Sequence, residues 1–339
     1  MRFLLLCSII ASVLTGCVGQ LVEEERVLEY HKRNYTWPLQ KYVPDTPGWR
    51  QLMEERFEQI ARLKTSGARY EAYYQTVRSS LLAPNFTEHG FGLARCPEGL
   101  LQALRQGIYD GLPNVRLEEK QDVITGPVPW MIDRPDLTER VLRELHPYAE
   151  EWVGMELTAH QAYGFRLYRN ESNLYMHVDR MQTHIVSFIL HIASSDDAEP
   201  WPIFIEDFNG RTHEVILTPG DILFYESSKC FHGRPRKFHG TWYTSVFVHY
   251  YPKHGWTEVD HRMEGHYAVP PIWVEDNYTP SDLPVLEMMG TSMREPYCPD
   301  EWCRVKDTVK WSGPGVEGYW IDPTQKKHVF NPRRVSDEL

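Results

Sequence analysis

The sequence is short of positive charge. Its 36 Lys and Arg face 47 Asp and Glu, which leaves a formal net charge of −11 at pH 7. No long basic run interrupts this acidity. Binding to a phosphate backbone needs clustered Lys and Arg, so nucleic acid is set aside as a partner. Long apolar runs are missing too. Beyond residues 3–14 nothing approaches the ~20 apolar residues of a membrane span, so no span is expected. There is no internal repeat and no low-complexity tract. Cysteine is sparse, at six residues. No second Cys or His pair has zinc-site spacing, which argues against a structural zinc.

What is present is a core-forming chain of 339 residues, 42% hydrophobic and 13% aromatic. That length suits one large domain with extensions. Residues 1–19 read as a secretory signal peptide: Arg2, the apolar run Phe3 to Leu14, then small residues at Thr15, Gly16 and Gly19. Leu14-Thr15-Gly16-Cys17 also has the form of a bacterial lipobox. The far end points elsewhere. Ser336-Asp337-Glu338-Leu339 is similar to the Lys-Asp-Glu-Leu retention signal. Asn-x-Ser/Thr sequons begin at Asn34, Asn85, Asn170 and Asn277. Together these features predict a glycoprotein of the endoplasmic reticulum lumen, or a secreted one. In such an oxidising compartment Cys298 and Cys303, in "CPDEWC", are expected to close a small disulfide loop. Whether Cys96 meets Cys230 does not follow from the sequence.

Residues 20–155 read as a helical region. Apolar positions Leu52, Phe57, Ile60 and Leu63 mark one amphipathic helix. "PEGLLQALRQGIYDGL" marks a second, and "DLTERVLRELHPYAEEWVGM" a third, with Asp136 or Thr138 as N-cap. Residues 156–252 then change to strand patterns. "HQAYGFRLYRN" alternates, whereas "THIVSFILHIA" is nearly continuous, as for a strand buried on both faces. "WPIFIED" and "THEVILTP" flank the turn signal Asn209-Gly210. "GDILFYE" and "TWYTSVFVHYY" complete the set. Closely spaced short strands after helices predict a mainly β fold, a double-stranded β-helix or jelly-roll barrel with flanking helices. Residues 253–339 read as an irregular cap around the barrel.

One stretch carries the chemistry. In "NLYMHVDR", His177 and Asp179 are two residues apart and share one face of a strand. With His232, which follows the Pro219-Gly220-Asp221 turn and its strand, they form a candidate set of two histidines and one carboxylate. Bound to one side of an octahedral ion, such a set leaves positions open for co-substrate and O₂. A surface His beside a solvated Asp is the plainer reading of His-x-Asp alone. The barrel-like strands around both motifs favour the metal site. His239 is the rival to His232. His184, His249 and His254 read as polar edge residues, and Trp242, Tyr243 and Phe247 as core aromatics.

Residues 161–252 resemble the catalytic domain of the prolyl 4-hydroxylase branch of Fe(II)/2-oxoglutarate dioxygenases. The resemblance rests on Tyr168, Tyr175-Met-His177-Val-Asp179, Pro219-Gly220-Asp221-Ile-Leu-Phe224, His232-Gly233 and Gly240-Thr241-Trp242. It implies Fe(II) held by His177, Asp179 and His232. It implies 2-oxoglutarate as co-substrate, with ascorbate as an accessory, and a co-substrate pocket lined by Tyr168 and Tyr175. Succinate and CO₂ would be released as a C–H bond is hydroxylated. The expected substrate is a prolyl or other side chain of a secretory-pathway protein or peptide. The oligomeric state is not implied. One feature departs from the family pattern. The family places Lys or Arg nine or ten residues after the second His, to bind the far carboxylate of 2-oxoglutarate. Here Thr241 and Trp242 stand there. Arg166, His191 and Ser245 are the candidates to replace it, with His191 and Arg166 preferred. Arg234, Arg236 and Lys237 could also fold inward, though a solvated loop is their default reading. The missing base also keeps two alternatives open: a jelly-roll binding module without chemistry, and a cupin-type metalloenzyme that does not use 2-oxoglutarate.

Overall fold

A computed structural model describes residues 46–119, 123–256, 283–298, 302–303, 309–313 and 315–330. The signal segment, the sequons at Asn34 and Asn277, and the last four residues lie outside these. Five α-helices are described: α1 (Pro47–Ala61), α2 (Ser66–Thr76), α3 (Arg78–Leu82), α4 (Glu98–Gly111) and α5 (Pro135–Val153). Thr46 caps α1, its hydroxyl accepting from the Trp49 amide at 3.3 Å. The apolar face anticipated for this helix buries Leu52 and Ile60. The N-cap of α5 is Arg134, not Asp136 or Thr138. Asp136 lies in the first turn and pairs with Arg134 instead. Gly154 ends α5 at φ 70°, a left-handed conformation that glycine adopts without strain. Helices α2 and α3 went unread because their short apolar faces leave no sustained period. Among the described residues no helix is long and apolar enough to cross a membrane.

Seventeen strands are described. Before the barrel come β1 (Phe91–Arg95), β2 (Arg116–Leu117), β3 (Ile124–Thr125) and β4 (Trp130–Met131). The barrel strands are β5 (Leu157–Arg169), β6 (Asn173–His177), β7 (Val186–Ser194), β8 (Ile203–Glu206), β9 (Thr212–Ile216), β10 (Asp221–Tyr225), β11 (His232–Arg234) and β12 (Trp242–Pro252). After it come β13 (Glu287–Met289), β14 (Ser292–Arg294), β15 (Val309–Ser312), β16 (Tyr319–Ile321) and β17 (Lys327–Val329).

The eight barrel strands pair as nested antiparallel hairpins: β8 with β9, β7 with β10, β6 with β11 and β5 with β12. The rolled ribbon puts alternate pairs on opposite sheets. One sheet contains β10-β7-β12-β5 and the other β6-β11-β8-β9. This is the double-stranded β-helix, a jelly roll. Strand β7 lies between β10 and β12, and all but its last residue are buried, which accounts for its unbroken apolar run. Helix α5 packs along β5 and β12, and α4 against β7.

Both flanking regions add strands to the barrel sheets. Strand β1 pairs with β10, so residues 20–155 supply sheet as well as helix. Residues beyond 252 are not wholly irregular. They place β14 beside β6, β15 beside β9 and β16 beside β1. The Cys298–Cys303 disulfide is present, and Cys96 and Cys230 are free and buried. Cys298–Cys303 brackets Trp302, whose ring stacks on Phe231 at 5.5 Å, one residue before His232.

A buried ion pair joins α1 to the barrel. Arg56 donates to Glu206 at the end of β8, and both side chains are at most 4% exposed. Its guanidinium also lies 4.0 Å above the Phe231 ring. Removing one partner strands a buried charge, at about 3–5 kcal/mol. Arg56→Met should therefore lower unfolding stability by about that amount in a denaturant titration, and adding Glu206→Met should recover much of it. Equal losses in both proteins would mean that packing against Phe231, not the charge pair, is what Arg56 contributes.

Candidate metal centre and cavity

Strand pairing delivers the metal-ligand candidates. His177 ends β6 and His232 begins β11, and the two are direct register partners. Their rings are 4.4 Å apart between centroids. Asp179 follows two residues after His177. Its Oδ1 lies 3.7 Å from His177 Nε2 and 3.9 Å from His232 Nε2. All three ligand atoms lie within 4.8 Å of one another.

The protonation of the imidazoles is fixed by the backbone. His177 Nδ1 is 2.8 Å from the Tyr175 carbonyl oxygen, and His232 Nδ1 is 2.9 Å from that of Cys230. A carbonyl only accepts, so each Nδ1 carries the proton and donates it. Each Nε2 is left with a bare lone pair, the state a metal requires. Burial presses in the same direction. It lowers His177 to about 4 and His232 well below its ordinary value, the latter with help from His177. Burial also pushes the Asp179 carboxyl up to about 7, against the lowering effect of the Ser227 and Tyr225 side chains. Neutral nitrogens and a carboxylate without a counter-charge are the donor set of a divalent cation. The residues fit the iron that the sequence motif implies.

The triad opens into a cavity of about 530 Å³, within the usual size of a small-molecule site. Of the residues expected there, Tyr168, Arg166 and Ser245 line its wall. Arg166 is already paired, donating through Nε (2.6 Å) and Nη2 to both Glu118 oxygens. Three other expectations are corrected. His191 does not line the cavity. Its ring stacks on Tyr243 at 3.9 Å, and its Nδ1 donates to the Thr244 carbonyl at 3.0 Å. Thr241 is exposed at the strand start, bonded to Asp197 at 2.8 Å. The Tyr175 side chain is not on the wall either, although its carbonyl orients His177. His239, the rival ligand, is exposed beside Glu171.

Arg234 is the cation that the sequence reading left in a solvated loop. It is 4% exposed and lines the cavity. Its guanidinium donates to the Trp201 carbonyl and, at 3.1 Å, to the Tyr243 hydroxyl, but meets no carboxylate among the described residues. It lies 4.6 Å from the Trp201 ring and 4.8 Å from that of Tyr243. The signal was available: Arg234 stands two residues after His232, as Asp179 does after His177, on the same face of its strand. Across the sheet, Arg234 pairs with Leu174, three residues before His177. Nearby, the Ser245 hydroxyl is buried without a hydrogen-bond partner. An unpaired buried cation with an orphan hydroxyl on the same wall is costly unless an anion completes them.

His249 was also missed, for want of any local motif. Its ring lines the cavity, and its Nδ1 is 3.9 Å from Asp179 Oδ2. The Ser227 hydroxyl donates its one proton to the His184 carbonyl at 2.7 Å. Its oxygen therefore accepts from Ser187 at 2.6 Å, and Ser187 in turn accepts from His249 Nδ1–H at 2.7 Å. His249 is thus held as the Nδ1–H tautomer. Its bare Nε2 has no partner among the described residues.

Metal binding should follow the Asp179 proton. Without metal that carboxyl is half protonated near pH 7, so the ion must displace a proton below this pH and none above it. Co(II) affinity, read from its visible absorption, should be flat above pH 7 and fall about tenfold per unit between pH 7 and 5. His177, at about 4, adds nothing in this window. Affinity constant from pH 5 to 8 would place the Asp179 carboxyl in its ordinary range and overturn this account.

No family model matches the sequence, and no curated protein matches it. Solved structures do. A Pseudomonas putida prolyl-4-hydroxylase aligns at 17% identity and TM-score 0.39, over 49% of this chain and 94% of its own. A prolyl hydroxylase from Trichoplax adhaerens, in complex with a hypoxia inducible factor peptide fragment, aligns at 11% and 0.40, over 57% and 96%. HygX from Streptomyces hygroscopicus, with nickel, 2-oxoglutarate and hygromycin B bound, aligns at 14% and 0.37, over 49% and 84%. At this level of similarity the chemistry has to be read from the site itself. The chain is similar in fold to 2-oxoglutarate-Fe(II) oxygenases, prolyl 4-hydroxylases among them.

Proposed function

We propose that this protein is a non-haem Fe(II)/2-oxoglutarate-dependent dioxygenase that hydroxylates a side chain, prolyl in the first instance, of secretory-pathway proteins. One observation carries the reading. Two Nε2 lone pairs and a carboxylate converge on a cavity whose lining also holds Arg234, a buried arginine that meets no carboxylate among the described residues. A dicarboxylate with one end at the metal and the other at a cation fits that layout. His177, Asp179 and His232 would hold Fe(II). Bound there, iron supplies the activation of O₂ that no side chain can provide.

The chain's own residues do the rest. Arg234 and Ser245 bind the far carboxylate of 2-oxoglutarate, the role that Thr241 and Trp242 cannot fill. Tyr168 and Arg166 close that wall, with Glu118 holding the Arg166 charge in place. His249 offers a hydrogen-bond acceptor beside Asp179. Tyr163 and Phe247, whose rings stack at 5.7 Å on the cavity lining, add apolar surface that excludes water. For location, the signal segment, the sequons, the retention-like tail and the Cys298–Cys303 disulfide support the endoplasmic reticulum lumen.

The test is succinate release from 2-oxoglutarate by purified protein with Fe(II) and ascorbate, without added substrate. Asp179→Ala should abolish it. Arg234→Met removes a charge-assisted contact worth about 1.5–3 kcal/mol, so KM for 2-oxoglutarate should rise about 10- to 150-fold while Co(II) affinity is unchanged. Arg166→Met should act less on KM, because Glu118 already occupies that guanidinium. Metal binding with neither turnover nor 2-oxoglutarate binding would favour a cupin-type metalloenzyme. Loss of both metal and turnover in the native protein would favour a binding module.

A further inference from the structure

We infer that Arg180 forms an anion-binding subsite at the cavity mouth and selects substrates whose reacting residue is flanked by acidic side chains. The inference rests on the dioxygenase reading and adds the class of substrate. Three arginines line the cavity: Arg166, Arg180 and Arg234. Arg166 is neutralised by Glu118. Arg234 is buried opposite Leu174, three residues before His177, whereas Arg180 follows Asp179 and is exposed. The two unpaired cations therefore flank the metal ligands, and a dicarboxylate that reaches inward from the metal leaves Arg180 unused.

Arg180 is exposed, and its guanidinium has no hydrogen bond or ion pair to any described residue. The other lining residues that are exposed or half-buried include Gln75, His160, Gln161, Thr183 and Met289, none of them acidic. Among the described residues that line the cavity the one acid is Asp179, a candidate metal ligand. Burial lowers both His160 and His184, which disfavours a charge on either ring. An arginine without a carboxylate partner among the described residues thus stands on the exposed part of the cavity lining, in a chain whose net charge is −11. Such a contrast draws anions to the opening and repels them from the rest of the surface. A guanidinium also fits a carboxylate with two parallel hydrogen bonds. A peptide presenting Glu or Asp beside the residue to be oxidised meets both requirements.

Three fluorescein-labelled decapeptides test this, each with one central proline flanked by Glu, Gln or Lys. Binding is read by anisotropy on the full-length protein with Fe(II) and 2-oxoglutarate under argon, and succinate release is read in air. The Glu peptide should bind at least tenfold more tightly than its Lys twin in low salt. Arg180→Gln should erase that preference, and Arg180→Glu should reverse it. Equal binding of the three peptides, no binding of any, or a preference that survives Arg180→Gln overturns the inference. If Arg180→Gln instead raises KM for 2-oxoglutarate and leaves peptide selectivity intact, the subsite serves co-substrate entry and the inference also fails. A preference governed by Arg180 without succinate release in the native protein would sustain the subsite and sink the dioxygenase reading.

Discussion

The register between β6 and β11 is the constraint on which the site depends. Pairing His177 with His232 across two antiparallel strands brings two imidazoles together before any metal arrives. Each ring is then locked by the carbonyl two residues upstream, so proton position and ring rotation are settled by the backbone. A slip of one residue would turn one histidine out of the barrel. The nested pairing of the whole jelly roll prevents such a slip, because β6 and β11 are bracketed by the β5–β12 and β7–β10 pairs.

The segments outside the barrel reinforce that register. Strand β14 pairs with β6 so that Ser292 faces His177, and the Thr291 carbonyl accepts from Val178, between the two ligands, at 3.3 Å. Trp302 backs Phe231 beside the other histidine, and Arg56 on α1 covers the same ring. The C-terminal segment therefore holds both sides of the triad, and the disulfide keeps Trp302 on Phe231 through a short loop. This is a structural reason for a cap that composition alone renders as irregular.

The sequence disclosed the barrel strands through their β-branched and aromatic runs, continuous in β7 where burial is unbroken; β5, which reads as alternating, is instead exposed in its first half and buried from Gly164 to Tyr168. The triad was legible because two ligands fall at i and i+2 within a short stretch. Arg166 and Ser245 were reachable by the same strand geometry. Other parts were hidden for physical reasons. Arg234 stands in a run of basic residues that looks solvated, and only the pairing of β11 against β6 and β8 shows that it is buried. The position of His191 in the strand pattern could not reveal that Tyr243 would stack on it. Glu118 is 48 residues from Arg166 in the chain, so their pairing is a tertiary fact without a local trace.

The three cavity arginines separate what a single sequence motif would merge. All carry the same fixed charge, so their roles are divided by partners alone. Arg166, with both carboxylate oxygens of Glu118, is satisfied and contributes shape. Arg234, held by a carbonyl, a hydroxyl and two aromatic faces, keeps its charge unmet in a dry wall, where an anion gains most. Arg180 keeps its charge unmet in water, where attraction is weaker but acts on whatever approaches. Arg234 stands on β11, two residues past His232. A candidate metal ligand and the cation proposed to face its co-substrate thus share one three-residue strand, so their separation is short and fixed by the backbone.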